Sequence, residues 1–407
     1  MMNNIEIMSF PASYGESFLV KIQQEKKYYN ILIDCGFKDT YRKYIKPEVL
    51  ECKRIDLAIF THIDDDHISG ALELFSDEEI LNKVTIGEIW FNDLFKFAIH
   101  KKLQYTNSIE SKDKSLDFMH NNNRESLFDD EVSYEKAKTL SSYLINDKFM
   151  NKWNTLFDGL VETEINSYKE LYLNKDIKIV VLSPSKERLD ELFLEWCNYL
   201  KIDIDKISVD EKMVENCNNY FSSIDKQIKR ERFDEQCSND EFDISELAEK
   251  DFNENTTANN ASIAFFIETL DRKILFLGDS KAEDVEISLK KYISDKKINK
   301  IDFELVKVSH HGSKNNTDTN FFNIASSKKY LIATNGKRFK HPDLECLSKI
   351  IVKQKEFKKL YFNYYHSRVY NKLEDKNLKS QYNYEMDMPD SLDIDKTLII
   401  KLMDGEE

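Results

Sequence analysis

The chain has 407 residues, a formal net charge of −15, 41% hydrophobic residues, nine glycines and five prolines. So little glycine and proline excludes collagen-like, glycine-linker and proline-rich low-complexity classes, and the apolar content is ample for a core, which excludes wholesale disorder. No apolar run approaches the roughly 18 residues that span a bilayer, the N-terminus shows no secretory signal, and six cysteines without a C-x-x-C pair fit a reduced, cytoplasmic protein with no membrane association.

In chain order, Ile5–Phe10, Ser17–Ile22 and Tyr29–Ile33 are predicted as short strands, the last running into Asp34-Cys35-Gly36. Ile55–Phe60 is a near-continuous apolar run, as expected of a strand buried on both faces, and it stops at a polar cluster. Gly70–Phe75 is predicted as helix and Val84–Phe91 as strand. Residues 92–175, rich in Lys, Asn, Ser and Asp, with helical spacing at Tyr143, Leu144, Phe149 and Trp153, are expected to form a helical insertion. A short core segment, 176–186, contains the predicted strand Ile177–Leu182. In the next helix, Leu189, Leu192, Phe193, Trp196 and Leu200 make a stripe that reads as packing. It opens an acidic helical insertion, 187–257, in which residues 201–257 carry 8 basic against 16 acidic side chains. From 258 to 407, predicted strands (Ser262–Glu268, Lys273–Leu277, Phe303–Val308, Lys329–Ala333, Leu360–Tyr364, Thr397–Leu402) alternate with helices Ala282–Ile293 and Leu344–Val352. This order predicts an α/β sandwich of sheets covered by helices, with residues 1–91 and 258–407 as two halves of one core.

The sharpest local signal is Thr61-His62-Ile63-Asp64-Asp65-Asp66-His67-Ile68-Ser69-Gly70, directly after the apolar run Ile55–Phe60. Two imidazoles and three carboxylates in six residues repel one another or go unpaired unless a cation sits among them, and a divalent metal takes both as ligands. The flanking histidines argue against calcium, which prefers oxygen. Asp34, Asp279 (in Leu277-Gly278-Asp279-Ser280) and His310-His311-Gly312-Ser313 likewise follow predicted strands. Four strands each delivering Asp or His at a C-terminal end imply one polar cleft along one rim. Six of the nine glycines (Gly15, Gly36, Gly70, Gly278, Gly312, Gly336) lie in or beside these segments. Around the histidines, residues 307–349 hold eight basic side chains against three acidic ones, whereas an acidic chain as a whole repels polyanions.

The run HxDxDH resembles the HxHxDH signature of the metallo-β-lactamase fold, with Asp64 in place of its second histidine. That replacement, with FLGDS and VSHHGSK, resembles the nuclease-like domain of ComEC-type DNA-uptake proteins and their stand-alone relatives. Ser9–Ser17 with its Gly15-Glu16-Ser17 turn, Ile31–Gly36, Val181–Pro184, Asn260 with Ser262, and Lys340-His341-Pro342 resemble further family elements in order, over about 1–91, 177–186 and 258–365. The resemblance implies an αββα metallo-β-lactamase fold with a helical insertion. It also implies two divalent ions: His62 and Asp64 on one, Asp66, His67 and His310 on the other, and Asp279 bridging. Asp34 would orient the histidine loop and His311 would support His310. No third-motif histidine is evident, because His100 and His120 fall in the helical insertion and read as surface residues. An oxygen ligand at Asp64 makes Mn2+ or Mg2+ competitive with Zn2+.

The activity so implied is metal-dependent hydrolysis by a metal-activated hydroxide, with Asp66 at the catalytic centre and His341 either contacting the substrate or protonating a leaving oxygen. Ser313, Lys314, Lys337, Arg338 and Lys340 would bind an anionic substrate, while His366 and Cys35 read as structural. A phosphodiesterase or nuclease acting on nucleic acid is the leading expectation. The alternatives are a hydrolase of a small substrate (a cyclic nucleotide, lactone or thioester) and an effector in a defence-type assembly, gated by a protein partner through the insertions.

Overall fold

The computed structural model describes residues 4–25, 27–93, 96–97, 129–157, 159–199, 242–252, 255–391 and 396–403. In chain order the strands are β1 (Asn4–Ser9), β2 (Phe18–Gln24), β3 (Lys27–Ile33), β4 (Arg54–Ile59), β5 (Thr85–Trp90), β6 (Lys169–Asn174), β7 (Ile177–Ser183), β8 (Ala264–Thr269), β9 (Arg272–Phe276), β10 (Ile301–Phe303), β11 (Leu305–Lys307), β12 (Ala325–Ser327), β13 (Lys329–Ile332), β14 (Lys358–Phe362), β15 (Tyr384–Asp387) and β16 (Leu398–Met403). The longer helices are α1 (Asp65–Ser76), α2 (Asp129–Leu144), α3 (Lys186–Tyr199), α4 (Ala282–Lys296) and α5 (Leu344–Lys353).

One sheet runs β16-β1-β2-β3-β4-β5 and the other β15-β14-β13-β11-β9-β8-β7-β6, with β10 and β12 as a separate parallel pair. In both sheets an antiparallel part turns into a parallel one, at β3–β4 and at β9–β11. Period-two side-chain alternation decides the layers. Phe18, Val20, Leu57 and Ile59 of one sheet meet Ile179, Phe265, Ile274 and Phe276 of the other in a shared core. The alternate residues Leu19, Leu32 and Ala58 pack outward on α1, α2 and α3, and Leu275, Val306 and Ile332 on α4 and α5. The result is helix, sheet, sheet, helix, an αββα sandwich. Among the described residues no helix is long and apolar enough to cross a membrane.

Several sequence expectations need correction. Residues 92–175 include helix α2, but Lys169–Asn174 is strand β6, antiparallel to β7. Its Leu171 and Leu173 pack on the inter-sheet core while Tyr172 is exposed, so a half-buried edge strand hides in a polar stretch. The core segment therefore begins before 176. The single strand predicted over Phe303–Val308 is split at Glu304, because β10 pairs with β12 and β11 pairs with β9 and β13. Of the acidic insertion, Lys186–Tyr199 is helical and a short helix covers Ile244–Ala248, while 200–241 lie outside the described residues. The C-terminal β16 crosses back to pair with β1, so the two halves share the first sheet.

The polar cluster at 61–70 is also less of a loop than its composition suggests. Asp64 is the extended N-cap of α1, and Asp65 and Asp66 occupy its first turn, where carboxylates suit the positive helix end. The helix lies so close to the β3 exit that Gly70 N–H donates to Gly36 O (2.8 Å) and Cys35 N–H to His67 O (2.8 Å). A Cβ on Gly70 would collide with the Cys35 carbonyl oxygen. Gly70→Ala is therefore expected to cost about 1–3 kcal/mol through overpacking, seen as a lower urea midpoint at unchanged slope. An unchanged midpoint would show that the approach is not tight.

Candidate metal centre

The C-terminal ends of β3, β4, β9 and β11 converge on one rim and release Asp34, His62, Asp279 and the His310-His311 pair. Two sheets thus contribute to one site, stitched by Ile263 N–H to Thr61 O at 2.8 Å and by His310 N–H to Gly278 O at 3.0 Å. Asp34, His310 and His311 have left-handed backbone conformations (φ 53°, 47° and 56°). For non-glycine residues this costs about 1–3 kcal/mol each, strain that clusters at functional sites.

The strained turn aims two consecutive imidazoles the same way. Asp279 Oδ2 stands 3.8 Å from His62 Nε2, 3.6 Å from His67 Nε2, 3.7 Å from His310 Nε2 and 3.8 Å from His311 Nε2. On every ring the other nitrogen has an acceptor. His67 Nδ1 meets Asp34 Oδ2 at 2.8 Å, His310 Nδ1 meets Asn316 Oδ1 at 2.9 Å, and His311 Nδ1 meets Ala333 O at 3.1 Å and Glu16 Oε1 at 3.0 Å. His62 Nδ1 meets Thr61 Oγ1 at 3.0 Å, and that hydroxyl already donates to Asp34 Oδ2 at 2.8 Å. In the neutral rings each Nδ1–H is therefore the donor, which leaves each Nε2 lone pair facing the cluster. Buried His62 Nε2 and His67 Nε2 have no hydrogen-bond partner among the described residues.

Orphaned imidazole lone pairs around a buried carboxylate fit a divalent ion. His62, His67 and Asp279 offer ligand atoms within 4.8 Å of one another, as do Asp66, His67 and His311. Asp64 Oδ2 lies 3.5 Å from His62 Nε2, and Asp66 Oδ2 lies 3.4 Å from His311 Nε2 and 4.0 Å from His67 Nε2. Electrostatics gives the same answer. Burial opposes charge on His67, yet Asp279, Asp34 and Asp66 raise it to about 10. Burial opposes ionisation of Asp279, yet the four histidines hold it well below the usual carboxylate range. Asp66, also against burial, is held at about 2 by His67 and His311. The pocket favours positive charge, which a bound divalent ion would supply while displacing protons.

The structure brings together His62, Asp64, Asp66, His67, Asp279 and His310, and sets Asp34 behind His67. Three further points are not evident from the sequence. His311 is not merely a support for His310, because its Nε2 faces Asp66 and Asp279 just as the expected ligands do. Asp65 turns away and pairs with Lys136 of α2. Glu16 forms a buried ion pair with Lys307, which also donates to Gly278 O at 3.0 Å and lies 4.0 Å from Asp279 Oδ1. Glu16 is visible in the sequence as part of the Gly15-Glu16-Ser17 turn, but its partner is remote in the chain. That turn lies directly on α1, since a Cβ on Gly15 would collide with the Asp66 carbonyl oxygen.

His341 stands beside the cluster, its ring 5.5 Å from that of His310 and its Nδ1 3.2 Å from Asp343 Oδ2. Burial raises the Asp343 carboxyl, but His341 and the Lys314 N–H hold it below its usual range. Lys337, Arg338 and Lys340 are exposed on the loop before His341, and Lys314 Nζ lies over the Phe252 ring at 4.6 Å. Ser313 is corrected: it is buried, and its hydroxyl accepts Asn315 N–H within its own turn. His366 and Cys35 are buried; His366 Nε2 donates to Thr334 O at 2.9 Å and anchors the base of that loop. His100 and His120 lie outside the described residues.

Comparison with known proteins bears on the first part of this site. The family model described as the metallo-beta-lactamase superfamily matches residues 15–81, which contain Glu16, Asp34 and the whole His62–His67 run. No curated protein matches the chain. Among solved structures, the metallo-beta-lactamase fold protein YhfI from Bacillus subtilis aligns over 98% of this chain and 99% of its own, at 9% identity and a TM-score of 0.40. A point mutant of the CmlA beta-hydroxylase aligns over 97% of this chain and 54% of its own, at 9% identity and a TM-score of 0.33. Neither likeness carries an activity across. The αββα sandwich and the matched segment together give the metallo-β-lactamase fold.

Asp34 accepts from Thr61 N, Thr61 Oγ1 and His67 Nδ1 through two oxygens, and an asparagine offers only one. Asp34→Asn is expected to weaken Zn2+ or Mn2+ binding about 10- to 100-fold, measured by chelator competition, with circular dichroism unchanged; wild-type affinity would remove Asp34 from this role. His366 gives a pH prediction. Burial lowers its pKa from 6.5 to about 4, so the unfolded chain takes the proton first. Its contribution is complete above pH 6.5 and is lost as pH falls towards 4. In urea titrations from pH 7 to 4, His366→Gln should flatten this acid loss; an identical decline in wild type and variant would refute the assignment.

Proposed function

We propose that the protein is a metal-dependent phosphodiesterase acting as a nuclease. The observation that carries this reading is a ligand cluster with four converging Nε2 atoms beside an exposed cationic loop and the His341–Asp343 pair. His62, Asp64, Asp66, His67, Asp279, His310 and His311 would hold divalent ions, zinc or manganese, which would supply Lewis-acid activation of water and neutralisation of phosphoryl charge. Asp34, Thr61, Asn316 and Ala333 keep the imidazoles turned inward by holding their Nδ1 protons or the groups that accept them. His341, its Nδ1 3.2 Å from the Asp343 carboxylate, is the group placed to hand a proton to a leaving oxygen. Lys337, Arg338 and Lys340 draw an anionic substrate to the rim of a chain that is otherwise acidic. The likeness of the HxDxDH, FLGDS and VSHHGSK segments to ComEC-type nuclease domains supports nucleic acid as that substrate.

The net charge of −15 favours a second reading, hydrolysis of a small anionic phosphodiester such as a cyclic nucleotide. Both readings are tested by incubating the pure protein with Mn2+ or Zn2+ and single- and double-stranded DNA, RNA and cyclic nucleotides. The nuclease reading expects metal-dependent cleavage of a polynucleotide, loss of activity in an Asp66→Ala/His67→Ala variant, and affinity that falls steeply with salt. Cleavage of cyclic nucleotides alone, with mild salt dependence, selects the second reading. No cleavage, or equal activity in the variant, rejects both.

A further inference from the structure

The loop before His341 carries more than charge. Phe339 is 51% exposed, unusual for so large an apolar ring, and it stacks on His341 at 6.2 Å with planes 29° apart. The Arg338 guanidinium lies 5.0 Å from the Phe339 ring and 5.0 Å from the Tyr14 ring, and Arg338 Nη1 donates to the Tyr14 hydroxyl at 2.7 Å. Tyr14 in turn packs edge-on against Phe37 at 4.8 Å. A continuous row therefore leads from His310 through His341, Phe339, Arg338 and Tyr14 to Phe37. There it reaches a cavity of about 500 Å3 that Phe37, Lys43 and Lys337 line together with Asp39 and Asp390.

The row is held in place from both sides. Asn335 N–H donates to Ser13 O at 2.8 Å and Asn335 Nδ2 to Ser13 Oγ at 2.9 Å, while Arg368 Nη2 donates to Lys340 O at 2.9 Å and Pro342 O at 2.7 Å. An exposed aromatic ring on a loop tethered at both ends, flanked by a guanidinium and lysines, matches what binds unpaired nucleobases: π-faces stack on the ring while cations follow the phosphates. A paired base inside a duplex has its faces covered by its neighbours and cannot use such a surface.

We propose that Phe339, with Arg338 and Tyr14, is a stacking platform for an unpaired base next to the scissile phosphate, and that the strand continues towards the Phe37 cavity. This makes single-stranded nucleic acid the substrate class, and it rests on the phosphodiesterase reading above. The test measures binding, by fluorescence anisotropy, of metal-loaded protein to a fluorescein-labelled phosphorothioate dT12 and to an abasic strand of equal length. Wild type is expected to bind dT12 about tenfold or more tightly than the abasic strand. Phe339→Ala should abolish that preference and leave abasic binding and circular dichroism unchanged, and Phe339→Trp should retain it. Equal affinity for both strands, an unaltered preference in Phe339→Ala, or competition by thymidine monophosphate as strong as by dT12 overturns the proposal. A nuclease reading that fails alone shows differently: base preference is present, but no polynucleotide is cleaved with any metal.

Discussion

Uncompensated negative charge on one rim of the sandwich is the constraint around which the structure is arranged. Glu16, Asp34, Asp64, Asp66 and Asp279 crowd one pocket in which, among the described residues, Lys307 is the one lysine, so the remaining negative charge falls to the histidines or to a bound cation. Buried charges persist only when paired, hydrogen-bonded or bound to metal. The imidazoles answer in part by taking up protons, as the raised affinity of His67 shows, and their Nε2 atoms share Asp279 as a common neighbour, with Asp64 beside His62 and Asp66 beside His311. A divalent ion bound there would carry positive charge into the pocket and use the same lone pairs. The left-handed backbone at Asp34, His310 and His311 and the close approach of Gly15 and Gly70 serve this one convergence.

Because each sheet brings part of the ligand set, the site exists only when the sandwich is closed. The first sheet and α1 supply His62, Asp64, Asp66 and His67, while the exits of β9 and β11 supply Asp279 and the histidine pair. Metal affinity and fold stability are then linked, since ions that bind across the seam favour the closed state over any in which the sheets part.

The strands that end in chemistry are legible because their signals are local. Ile55–Phe60 and Lys273–Leu277 are apolar runs that stop at polar residues, and the structure places β4 and β9 within a residue of them. What escapes the sequence is set by distant partners or by backbone geometry. Leu171, Tyr172 and Leu173 alternate, but the pattern is short and lies in a polar stretch, so β6 is masked by its helical surroundings. Nothing in the dipeptide His310-His311 says that both rings face one way; φ values of 47° and 56° decide that. The Glu16–Lys307 pair joins residues nearly 300 positions apart, and neither residue is unusual in its own segment.

That pair has a consequence for how the protein can change over generations. Glu16 lies in the turn between β1 and β2 of the first sheet and Lys307 ends β11 of the second, and both are 1% exposed. Losing either alone takes from the other its nearest opposite charge in the interior, a defect of about 3–5 kcal/mol, whereas replacing both by apolar residues of similar volume removes the pair together. Substitution at these two positions is thus barred one step at a time and open only as a double step. Kindred chains should keep both residues or lack both, a linked inheritance between the two halves of the sandwich.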